Sequence, residues 1–376
     1  MSTLSIDLFC RVIDNHGDLG VCWRLATLLQ ARGHSVRLFV DDDAALSWMA
    51  PQPWPPGIEV CPWDQANEAV PRGAVIETFG CELPAPYQAK LPQVPGLQWI
   101  NLEYLSAEDY VERSHGLRSP VMSGPAKGLW KTFCYPGFTT RTGGLMRGFS
   151  SPAAKNPTEP LDEGHRPQAL LFCYEPEMLG AWLAALRQAG WPCGLRVAPG
   201  RPARAVSLAL AMADHPVSSA PRPLTSPPPG QAGPVEPVTW LAHTDQPGFD
   251  DWLRSARLNI VRGEDSFVRA QWAGRPFVWH IYPQEDGVHL EKLEAFLARF
   301  LDGMEDLVLA RHIRDWHLLV NGALTAQAFQ TRHAAHWPWP AADRLDAWQR
   351  HCERWRERLL TQADLCDTVE KLLQAS

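Results

Sequence analysis

Several signals are missing from this chain of 376 residues, and each absence removes a class of function. No run approaches the roughly 18 to 20 consecutive apolar residues of a membrane-spanning helix, so no membrane association of that kind is expected. The opening residues, Met1-Ser2-Thr3-Leu4-Ser5-Ile6-Asp7-Leu8, lack a basic region ahead of a long apolar core. With Asp7 and Arg11 interrupting it, the stretch reads as a first strand and not as a signal peptide. The nine cysteines run from Cys10 to Cys366 without a CxxC pair, which fits reduced, mostly buried thiols in a cytoplasmic compartment. Basic residues are not in excess: 35 against 42 acidic ones give a net charge of −7, which disfavours a nucleic-acid binder. No His/Cys cluster has zinc spacing, and His312, His317 and His333 are dispersed. Asp41-Asp42-Asp43 directly follows a strand and reads as turn and helix-cap chemistry, so no metal cofactor is expected.

What is present is alternation. The length exceeds a single core, so two domains are the default. Leu4 to Ile13 is strand-like, Leu19 to Ala31 carries apolar residues at helical spacing, Gly33 stops that helix, and Val36 to Val40 is a second strand. This β-α-β unit implies a parallel sheet with right-handed crossovers. Short strands are expected at Ala74–Phe79, Gln98–Leu102 and Thr132–Tyr135. From Gly148 to Pro167 the apolar pattern lapses, which places the linker at 151–167 between domains at 1–150 and 168–340. The second series predicts strands at Ala169–Cys173, Gly194–Val197, Val238–Leu241, Leu258–Val261 and Phe277–Ile281. Helices are expected at Pro176–Ala189, at Phe249–Arg257 and from near Asp265. A Pro-, Ser- and Gly-rich stretch, 216–237, reads as a surface insertion, and 341–376 as C-terminal helices packing back towards the N-terminal domain. The fold class is α/β: two facing Rossmann-like domains with the ligand cleft between them, at strand C-terminal ends.

Two constellations lie at such strand ends. The first is Asp14-Asn15-His16-Gly17-Asp18-Leu19-Gly20, in which Gly17 permits a tight turn and Asp18 sits where a helix N-cap belongs. It lacks the GxGxxG order of a dinucleotide fingerprint and a Walker lysine. Capping and loop fixing are the ordinary reading of these acids; substrate contact is the functional one. The second is Arg262-Gly263-Glu264-Asp265-Ser266, running from a strand into a helix. Amides at such a helix start can bind a phosphate, Ser266 adds a hydroxyl, and Arg262 could neutralise a leaving diphosphate. Glu264 beside a phosphate would be repelled unless it turns to a sugar or ribose hydroxyl, and ordinary capping with a surface ion pair is the plain alternative. Phe172, Tyr174, Gln246 and Phe249 offer rings and an amide suited to a stacked pyrimidine, although single aromatics are more often core.

Together these segments resemble the bacterial elongation factor P arginine rhamnosyltransferase family. The matching stretches are Val12 to Ala26, Ile100 to Glu108, Pro136-Gly137-Phe138-Thr139, Thr142-Gly143-Gly144-Leu145 and Arg262 to Gln271, in order along nearly the whole chain. The resemblance implies the GT-B fold and inverting, metal-independent transfer of L-rhamnose from TDP-β-L-rhamnose to an arginine of elongation factor P. It further implies that Asp18 is the base-like residue and that Asp14 helps hold the acceptor guanidinium. Asn15, His16 and Gly17 would adjoin the substrates, and Phe172, Tyr174, Gln246 and Phe249 would surround the thymidine. Arg262, Glu264, Asp265 and Ser266 would handle sugar and diphosphate, with Glu264 among the catalytic group. Another GT-B enzyme with a different donor or acceptor, or a non-catalytic sugar-nucleotide-binding module, are the rival readings.

Overall fold

The structure is a computed structural model that describes residues 3–13, 16–50, 52–148, 166–214, 237–284 and 287–374. Asp14, Asn15, most of the linker and nearly all of the Pro-rich stretch therefore lie outside the described residues.

The first half is built on strands β1 (Ser5–Cys10), β2 (Ser35–Val40), β3 (Ile58–Pro62), β4 (Ala74–Thr78), β5 (Gln98–Leu102), β6 (Arg118–Pro120) and β7 (Trp130–Cys134). They form one sheet in the order β3-β2-β1-β4-β5-β7-β6, parallel except for the β6–β7 edge pair. Helices α1 (Gly17–Ala31), α2 (Leu46–Met49), α3 (Ala85–Gln88) and α4 (Asp109–Ser114) accompany it. In β1 the side chains alternate between two cores: Ile6, Leu8 and Cys10 pack under α1, while Phe9 meets Phe39, Val75 and Tyr87 on the opposite face. Asp7, which breaks the apolar run in the sequence, is fully buried within this strand. Arg37 forks it at 2.9 Å twice, and Tyr87 Oη and the Arg72 amide donate to it at 2.6 and 3.0 Å. A buried charge is tolerable when every lone pair is met in this way.

The second half has an all-parallel sheet, β10-β9-β8-β11-β12, from β8 (Gln168–Leu171), β9 (Gly194–Val197), β10 (Val238–Trp240), β11 (Leu258–Arg262) and β12 (Phe277–His280). Its helices are α5 (Leu179–Gln188), α6 (Arg201–Asp214), α7 (Gln246–Ser255), α8 (Asp265–Ala273), α9 (Val288–Phe300), α10 (Leu307–Val320) and α11 (Ala326–Arg332). Two more close the chain, α12 (Ala342–Leu360) and α13 (Leu365–Gln374). They part company. Trp348 and Trp355 of α12 join the core of the second half, whereas Leu365, Val369 and Leu373 of α13 complete that of the first. Gly143 and Gly144 permit the return: a Cβ on Gly144, whose φ is +74°, would lie 1.9 Å from the Ala363 carbonyl oxygen.

Three expectations need correction. α1 starts at Gly17, so Asp18 lies inside the first turn; His16 occupies the N-cap and caps with no side-chain bond. Gln246, Pro247 and Gly248 do not precede a helix but form its first turn, because the Asp245 carboxylate caps it by accepting from Gly248 N at 2.9 Å. The dispersed histidines converge: α10 and the turn after α11 bring His312 to 4.8 Å from the His333 ring and 5.3 Å from His336. Among the described residues, no three His, Cys, Asp or Glu side chains are grouped as a metal site, and no helix is long and apolar enough to cross a membrane.

Candidate functional site

A cavity of about 350 Å³ opens between the C-terminal ends of the two sheets. The first half contributes His16, Gly17, Gly20, Arg24 and Trp48; the second contributes Phe172, the 198–204 turn, the 243–252 segment and Arg262 to Ser266.

Asp18 is buried beside it at the positive end of α1, where the helix dipole favours an anion. Its Oδ2 accepts from Ile13 N at 2.8 Å, which folds the carboxylate back against the loop leaving β1. Glu264 comes from the opposite half. Its Oε2 accepts from Leu105 N at 2.9 Å, a bond that spans the cleft. Burial first, then the Asp18 and Asp265 carboxylates, push the Glu264 carboxyl up to about 8, against the Leu105 amide and Lys292. Glu264 retains some surface on the cavity wall, so solvent tempers this shift, but its direction is upward. The direction favours the protonated carboxyl beyond an ordinary glutamate. That Asp18 raises it places these two acids, from facing halves, in one electrostatic neighbourhood.

Arg262 ends β11, and Gly263, with φ of +67°, turns the backbone into α8. The Arg262 guanidinium lies over the Phe172 and Tyr174 rings at 5.0 and 4.8 Å. Phe172 meets Phe249 edge-to-face at 5.0 Å, and both rings line the cavity. Tyr174, by contrast, is buried beneath Arg262 and does not reach the wall. Ser266 donates its hydroxyl to the Arg262 carbonyl, so in this structure the side chain is turned into its own helix. Gln246 Nε2 is likewise engaged, donating to the Gly20 carbonyl across the cleft at 2.8 Å. The Asp265 carboxylate is forked by Arg24 at 2.9 and 3.1 Å. The sequence drew attention to segments that line one cavity, but the Gln246 and Asp265 engagements depend on what the other half presents.

Other wall residues carried no sequence signal of their own. Trp48 of α2 stands between His16, at 5.3 Å, and His243, at 4.6 Å, joining the two halves by rings. Arg201 and Arg204, at the start of α6, add positive charge on the side of Arg262. A glycine before two arginines is too common a pattern to single out without the fold.

The family described as Elongation-Factor P (EF-P) rhamnosyltransferase EarP matches residues 6–374. A protein-arginine rhamnosyltransferase of Pseudomonas putida strain KT2440 is 41% identical over 389 residues, covering 96% of this chain and 97% of the relative. A solved structure described as the structural basis for EarP-mediated arginine glycosylation of translation elongation factor EF-P aligns with a TM-score of 0.60 and 28% identity, over 98% of both chains. The spinosyn forosaminyltransferase SpnP aligns at a TM-score of 0.53 and 13% identity over 100% of both chains, a likeness of fold alone. The architecture is that of GT-B glycosyltransferases.

Proposed function

The chain belongs to the elongation factor P rhamnosyltransferase family and is a protein-arginine rhamnosyltransferase; from that premise we propose that it transfers L-rhamnose from TDP-β-L-rhamnose to an arginine of translation elongation factor P, with inversion and without metal. The observation that carries the reading is the meeting, beside one cavity, of Glu264 on its wall with the buried Asp18 of the facing half, whose carboxylate helps push the Glu264 carboxyl upward.

An arginine nucleophile is difficult because its guanidinium stays protonated, with a pKa above roughly 12, and has no free lone pair on nitrogen. A carboxylate can grip two of its N–H groups, orient one nitrogen and take a proton as the C–N bond forms. Asp18 is assigned this role, with Asp14 as electrostatic partner. Full deprotonation before attack would cost too much, so the proton leaves late and in concert. The nitrogen attacks C1 from the face opposite the diphosphate, and a β-linked donor yields an α-rhamnosyl product.

On the donor side Phe172 and Phe249 hold the thymine, with the Gln246 amide at the start of α7 nearby. Arg262 and the first amides of α8, around Asp265 and Ser266, receive the charge of the departing TDP. Glu264 can adjoin that diphosphate without like-charge repulsion while it is protonated, and as an acid it donates to a sugar or phosphate oxygen. His16 and Gly17 form the acceptor-side lip. The nine buried thiols fit work in the reducing cytoplasm.

Incubation with TDP-β-L-rhamnose and purified elongation factor P tests this directly by intact mass and peptide mapping. One added deoxyhexose on an arginine is the expected result; tight association without added mass would favour a binding module, and transfer from another donor a different GT-B enzyme.

A further inference from the structure

A row of alternating charge joins the halves: Arg24 of the first half stands between Asp265 and Asp250 of the second, and Arg269 follows. Arg24 forks Asp265 at 2.9 and 3.1 Å and stands 3.9 Å from Asp250. Asp250 is forked in turn by Arg269 at 2.9 and 2.6 Å, and Arg269 donates to the Arg147 carbonyl at 2.5 Å. Side chains of Arg24, Asp250 and Arg269 are 5, 8 and 5% exposed, too little for solvent to screen them.

The transfer step makes no direct use of Arg24, and stability alone is a weak reason to bury it. Apolar side chains of similar volume commonly serve a core as well or better. A buried fork supplies register instead, since two parallel N–H···O bonds form in one relative placement of two helices and fail a short slide away. Gly20 lies one turn earlier on the same face of α1. A Cβ there would sit 3.7 Å from Asp265 Cβ, and the Gly20 carbonyl accepts from Gln246 at 2.8 Å. One face of α1 is thus pinned to α7 and α8 at successive turns. Asp18 belongs to the first turn of α1, and Glu264 immediately precedes Asp265.

We propose that Arg24 is a positioning residue for the transfer reaction: by forking Asp265 across the cleft it fixes the closure register in which the Asp18 carboxylate faces Glu264 and the bound sugar. The Asp265 carboxylate then serves the clamp and not the sugar. This inference rests on the roles given above to Asp18 and Glu264.

Arg24→Lys keeps the charge but cannot fork a carboxylate. The expected result is a kcat lower by about a hundredfold, the cost of displacement by about an ångström, with the donor KM and unfolding midpoint little changed. A paired apolar replacement, Arg24→Met with Asp265→Leu, should fold and show the same kcat loss. Spin labels on cysteines introduced at exposed Val70 and Met212 give a readout independent of turnover. One narrow distance distribution in the otherwise native protein should broaden in Arg24→Lys. Native kcat in either variant, or lost kcat with an unchanged distribution, overturns the proposal. Absence of rhamnosyl transfer by the native enzyme would overturn the functional reading instead, while the label distances would still test the clamp.

Discussion

The two halves surround their buried ionisable groups differently. In the first half buried acids are met by donors: Asp7 lies among an arginine fork, a tyrosine hydroxyl and an amide, and Asp18 accepts an amide at a helix start. In the second half paired charge is kept too, as in Asp250 forked by Arg269, but several buried groups are shifted towards their neutral forms. Glu264 is pushed up to about 8, and burial pushes His280 down to about 3 and His317 and His351 to about 4. This division suits the proposed chemistry. A cationic acceptor needs a carboxylate to grip, and a donor diphosphate needs wall acids that are protonated or, like Asp265, already paired with a cation.

The largest expected effect falls on the charged side. Asp18→Asn should lower the rate of arginine rhamnosylation by about a hundredfold to ten-thousandfold while TDP binding by calorimetry stays intact. A variant with near-native turnover would end the base-like role of Asp18. Next is the exchange of helices between the halves. Gly144→Ala places a methyl group against the Ala363 carbonyl and should destabilise by about 2 to 4 kcal/mol in denaturant unfolding. Hydrogen exchange should then rise in α13 and under α1 before it rises in α12, whose packing belongs to the other core.

Smaller effects separate the halves by pH. An isolated glutamate ionises near 4.3 in the unfolded chain. The folded chain holds the Glu264 proton up to about 8, so this group makes stability fall as pH rises between those values. Glu264→Gln should remove that slope in pH-dependent melting and leave donor affinity nearly constant above pH 8, where the native protein loses it. Buried histidines act with the opposite sign. Their folded values lie below the ordinary 6.5, so stability is lost as pH falls from about 6.5 towards 4. His351→Gln, which can preserve a bond to the Phe300 carbonyl, should recover a few degrees of melting temperature at pH 5 and little at pH 8. Equal acid sensitivity in the two variants would erase the contrast.

Strand and helix positions near the site were largely legible because periodicity is a local property. β5, β9 and the start of α8 fall where patterning places them, and the segments at 14–20 and 262–266 do adjoin the same cavity as far as described. Strands β3 and β6 and helices α2, α3, α4, α6, α9, α10 and α11 have no counterpart in the sequence expectations. Three residues give no period, and a long apolar helical face needs a known partner to be recognised. Asp18 was misjudged as a cap because capping preference is set by residue type, whereas the helix start is set by where the β1 loop lets it turn.

Sequence by itself determined the alternating α/β plan, the reduced buried cysteines and the residue types gathered at two strand ends, because hydrophobic spacing and turn chemistry act over a few residues. Tertiary structure decided which of those residues are engaged: Asp265 by Arg24, Gln246 by Gly20, and Glu264 shifted towards its neutral form by burial and the nearby acids. Those outcomes turn on dielectric surroundings and on partners more than two hundred residues away, in most cases, and no local pattern encodes either.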